Sequence, residues 1–117
     1  MATKATGLFL VLVVAFSPQL ATAEFKTGQD LQEGLQKWFK DPTPDGDLIE
    51  ASVAFGYVVG VVDAHTDITV CPPDGATQGQ LAQIAFKYLN ANPEKLNLSA
   101  DLLVVNSLRV VWPCKKS

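Results

Sequence analysis

The sequence predicts an all-α domain, a small disulfide-linked bundle of four main helices with one further short turn helix. Three observations carry that prediction. Apolar residues recur at helical spacing in four separate stretches. Each stretch is bounded by capping residues, prolines or glycines. The chain has 2 cysteines, Cys71 and Cys114, and an even count in an exported chain reads as a bridge.

Export is read from the first residues. Lys4 precedes the short apolar run "GLFLVLVVAF", and Ala21 and Ala23 follow at the spacing a signal peptidase recognises. Residues 1–23 are therefore expected to be a secretory leader cut after Ala23, leaving a periplasmic domain of residues 24–117. An uncleaved anchor is disfavoured, because the run is well short of the roughly 20 residues that span a bilayer. The full chain of 117 residues carries a formal net charge of −3, and removing Lys4 makes the domain one unit more negative. No basic patch is present, which excludes nucleic acid, and membrane contact after leader removal, as expected partners. A Cys71–Cys114 bridge closes a long loop, worth about 4 kcal/mol in the chain-entropy treatment. That is a large share of the roughly 5–15 kcal/mol that holds a native domain.

The first helix is "TGQDLQEGLQKWFK". Thr27 caps it, with Asp30 three residues on, and Leu31, Leu35, Trp38 and Phe39 form one buried face. Glu33 and Lys37 make an i, i+4 pair on the other side. "DPTPDGD" then breaks the chain. The second helix runs from Leu48 to Ala64. It has no polar face between Val53 and Val62, so burial on most sides is expected. Ser52, Gly56, Gly60 and Ala64 are four apart and share a stripe. Two glycines lower helix propensity by about 2 kcal/mol, which a closely approaching backbone would offset through dispersion contacts. The neighbour is either another helix of the same chain or a second subunit in a homodimer. Asp63, at the negative end of this helix, either reaches solvent or clamps onto the start of the next helix, the Trp112 indole or a tyrosine hydroxyl.

Residues 65–76 form a loop whose "DITVC" portion alternates enough for a short extended arm. The third helix, "TQGQLAQIAFKYLN", opens with a Thr77–Gln80 capping box and presents Leu81, Ile84, Ala85, Tyr88 and Leu89 on one face. Asn92 and Pro93 end it in a short turn through Lys95 and Leu96. The fourth helix starts at Ser99, with Asp101 in its first turn. Leu102, Val104, Val105, Leu108, Val111 and Trp112 are expected to form its apolar face.

Little in the chain suggests catalysis. His65 is the only histidine. A Ser–His–Asp grouping with Asp63 or Asp67 lacks an oxyanion motif, and a Cys71–His65 pair requires the disulfide to be absent. No phosphate-binding loop, metal-ligand spacing or cofactor signature is present. A binding protein is expected, not an enzyme.

The run from residue 54 to 114 resembles the type VI secretion amidase immunity proteins of the Rap/Tai family. The resemblance is carried by Gly56, Tyr57, Gly60, Asp63 and Ala64, then Cys71, Pro73, Gly75, Thr77, Gln80 and Leu81, then Tyr88, Leu89 and Pro93, and last Pro113 and Cys114. It implies a small helical periplasmic protein, commonly dimeric. Such a protein binds a peptidoglycan amidase effector and occludes its cysteine–histidine site with a protruding loop or helix end. One departure is visible. Where many members carry a further cysteine, this chain has Ala54, so packing alone must hold the first helix. Candidate partner contacts are His65, Asp67 and Asp74 in the loop, with Asn92, Glu94 and Lys95 in the proline turn. The competing reading is a periplasmic acid-stress chaperone, or an envelope accessory protein, with no toxin partner.

Overall fold

A computed structural model describes residues 26–115 of the chain; the predicted leader lies outside the described residues. Four α-helices are present: α1 (Gly28–Trp38), α2 (Leu48–His65), α3 (Gln78–Ala91) and α4 (Ala100–Val111), with short 3-10 turns at Asp45–Asp47 and Pro93–Lys95. The described residues contain no β-strand, only isolated bridges such as Val70 to Pro113. The fold is all-α, and the extended arm expected at residues 67–71 amounts to those bridges.

Both capping boxes form. Thr27 Oγ1 accepts from the Asp30 N–H, and the Asp30 carboxylate accepts from the Thr27 N–H. The Thr27 backbone N–H, and next the Thr27 hydroxyl, hold the Asp30 carboxyl below its ordinary range. Thr77 and Gln80 exchange the same pair of bonds at α3. Ser99 takes the extended cap conformation at α4 without a side-chain bond.

The core is a continuous cluster that draws on every helix: Leu31 and Leu35, then Ala54, Val58 and Val62, then Leu81, Ala85 and Leu89, then Leu103, Val104 and Leu108. α4 is rotated from the expected face. Leu102 and Val111 are exposed, while Leu103 and Ser107 are buried. Ser107 is tolerated there because its hydroxyl donates to the Val104 carbonyl at 2.7 Å. Trp38 and Phe39 are half-buried. Trp38 stacks on Phe55 with ring centroids 4.2 Å apart, and Phe39 on Phe86 at 5.2 Å. Lys37 reaches across to Glu50 of α2, with Asp47 at 3.8 Å, instead of pairing with Glu33.

The glycine groove is where expectation and structure part. Gly56 and Gly60 have nothing within 4 Å of an added Cβ, and Val53 is 50% exposed. The stripe Ser52, Gly56, Gly60 and Ala64 faces away from the core. Only one side of α2, through Ala51, Ala54, Val58 and Val62, is buried. The close helix approach lies elsewhere. A Cβ on Gly34 of α1 would stand 2.5 Å from the Ala54 Cβ and 3.3 Å from the Glu50 carbonyl oxygen. Ala54 is thus one of the residues against which α1 packs. The N-terminus of α1 is further tied by Gly28 N–H to Leu98 O and Gln29 N–H to Leu96 O, both 2.9 Å.

Candidate partner-binding surface

Where α2 ends, the chain makes a tight turn closed by backbone hydrogen bonds. The His65 carbonyl accepts from the N–H groups of Ile68, Thr69 and Val70 at 3.0–3.2 Å, and the Asp67 N–H donates to the Val70 carbonyl at 2.9 Å. The Thr66 hydroxyl donates to the Val62 carbonyl at 2.8 Å. Asp67 adopts φ 64°, a left-handed conformation that Asp tolerates better than most residues. Below the turn Val70 is fully buried. Beyond it the Cys71 N–H donates to the Trp112 carbonyl at 2.9 Å, and Cys71 is bonded to Cys114 with a Cα–Cα distance of 4.9 Å. A turn held at both feet and across its base in this way has little conformational freedom left to lose.

The tip of that turn is Ile68, 73% exposed. Beside it a cavity of about 270 Å³ is lined by Ile68, Thr69, Arg109, Pro113 and Cys114. The disulfide therefore brings together the end of α2 and the end of α4, and with them an aliphatic knob and the guanidinium of Arg109. Val110, which follows Arg109 on α4, is 75% exposed.

The residues expected to meet a partner divide into two groups. His65, Asp67 and Asp74 lie at this disulfide-linked end. His65 is half-buried, with Nδ1 2.8 Å from the Val61 carbonyl oxygen, so the ring is positioned as a donor within its own helix. Asn92, Glu94 and Lys95 lie at the other end of α3, whose 14 residues span about 21 Å. There the Asn92 amide donates to the Tyr88 carbonyl at 2.8 Å, and Lys95 sits over the Tyr88 ring. The two groups do not form one surface. Asp63 is exposed and makes no side-chain hydrogen bond among the described residues, so it is a solvated helix-end carboxylate and not a clamp. Tyr57 does connect helices. Burial, and next the Asp101 carboxylate of α4, hold its phenol above the ordinary range.

Sequence reasoning missed Ile68 and Arg109. An aliphatic residue flanked by Asp67 and Thr69 was the available signal, as was Arg109 being the sole arginine of the chain.

Cys71 is bonded to Cys114, which leaves the Cys71–His65 alternative without a thiol. Among the described residues no group of three or more His, Cys, Asp or Glu could hold a metal ion.

By length and composition alone, the helical stretch Asp45–His65 could cross a membrane. The inner face of that helix is instead a wall of the bundle core.

A family model for the Rap1a immunity proteins matches residues 27–114. No curated protein matches the chain. The match spans all four helices and both cysteines. A family of immunity proteins is generally non-enzymatic, and the disulfide suits a compartment outside the cytoplasm.

Proposed function

The chain belongs to the Rap1a immunity protein family, and on that premise we propose that it is a periplasmic inhibitor of a cell-wall-degrading effector. It binds a peptidoglycan amidase and covers the active-site cleft, without performing any chemistry of its own. The observation that carries this reading is the disulfide-anchored turn at residues 66–70, which holds an exposed isoleucine at its tip. An occluding element must enter a cleft without being ordered on arrival, because each side chain or loop immobilised on binding subtracts from affinity. This turn is ordered beforehand.

A homodimer, which the resemblance implies, would be seated on the outer face of α2. Ile49, Val53, Gly56 and Gly60 form an uncharged strip there, and Ile49 is 81% exposed. The glycines would let a second α2 approach closely across a two-fold axis.

The test is inhibition. Purified residues 24–117 are added to cysteine–histidine peptidoglycan amidases of the secreted effector type, and release of soluble muropeptides is followed. Stoichiometric loss of hydrolysis for one such amidase supports the proposal. Full hydrolysis by every amidase tried, with no complex by calorimetry, rejects it.

A further inference from the structure

We draw no further inference here: the strongest candidate, the apolar groove that Phe39 at the end of α1 forms with Ile84 and Phe86 of α3, with Lys87 also lining it, is an unpartnered surface, and nothing in the structure shows what covers it.

Discussion

Gly56 and Gly60 should be replaceable by alanine with a rise in stability, whereas Gly34 should not. Around the first two, an added Cβ meets nothing within 4 Å. Both are mid-helix positions of α2 with ordinary helical backbone. Alanine there removes conformational freedom from the unfolded chain without creating a clash, worth about 0.4–1 kcal/mol per site. The Gly56→Ala/Gly60→Ala double variant should therefore gain about 1–2 kcal/mol. For a domain of this size the melting temperature should rise by about 4–16 °C.

At Gly34 the sign reverses. The new methyl would stand 2.5 Å from the Ala54 Cβ and 3.3 Å from the Glu50 carbonyl oxygen, and neither can swing aside. Forcing α1 and α2 apart costs about 1–3 kcal/mol, which outweighs the propensity gain of about 1 kcal/mol. The assay is thermal and urea unfolding of residues 24–117, followed by circular dichroism in the low-micromolar range and again at tenfold higher concentration. A fall in stability of the double variant at the lower concentration, or a stabilised Gly34→Ala, would refute the packing described here. A fall that appears only at the higher concentration would locate a dimer contact on that strip.

Four further outcomes follow from the same geometry. Reducing the Cys71–Cys114 bond, or replacing both residues by serine, should lower stability by up to about 4 kcal/mol in urea titrations and weaken amidase inhibition more than any single change on α3. The Asp30 carboxyl lies below its ordinary value in the folded chain. Its stabilising bond is present above the unfolded value near 3.9 and is lost as pH falls through the folded one. Asp30→Asn should accordingly flatten the acid limb of the melting temperature, and an unchanged limb would contradict the cap. Tyr57 is shifted upward, so its contribution is whole below pH about 10 and is lost as pH rises through the folded value. Tyr57→Phe should retain more stability above that pH than the unaltered domain. Gly60→Glu should leave the monomer folded and abolish any self-association seen by light scattering, because the strip it enters carries no compensating charge.

Much of the fold was legible because its determinants are local. Thr27 with Asp30, and Thr77 with Gln80, announce helix starts at fixed spacing. Two cysteines leave one intramolecular pairing. What failed was orientation. Four-residue spacing tells that Ser52, Gly56, Gly60 and Ala64 share a face, but not whether a neighbour covers it. The uniform hydropathy of α2 concealed which side the core would take. The adjacent leucines of α4 posed the same problem. Leu102 and Leu103 differ by 100° around the helix, and the face with Leu103 that is buried also takes in Ser107, whose hydroxyl is satisfied by the Val104 carbonyl. That bond is invisible in a hydropathy pattern.

The candidate site escaped for a different reason, and the reason bears on function. Several of the positions that carry the family resemblance hold the fold together. Leu81 and Leu89 are core, Thr77 and Gln80 cap α3, and Cys71 and Cys114 close the bundle. Ile68 and Arg109 lie between those positions, at the end of the bundle that the disulfide draws together. A scaffold fixed by caps, core and one covalent link can change such residues without loss of structure, since neither is buried in it. That is the arrangement an inhibitor needs if its partner varies. On the inhibitor reading proposed above, the helices set where the turn stands, and Ile68 on it with Arg109 beside it on α4 would set what it fits. Moving the specificity of this domain to another amidase should then require substitutions at 67–69 and 109–110 alone, with no change in melting temperature. A transplant of those residues that failed to carry inhibition with it would show that the contact surface lies elsewhere on the bundle.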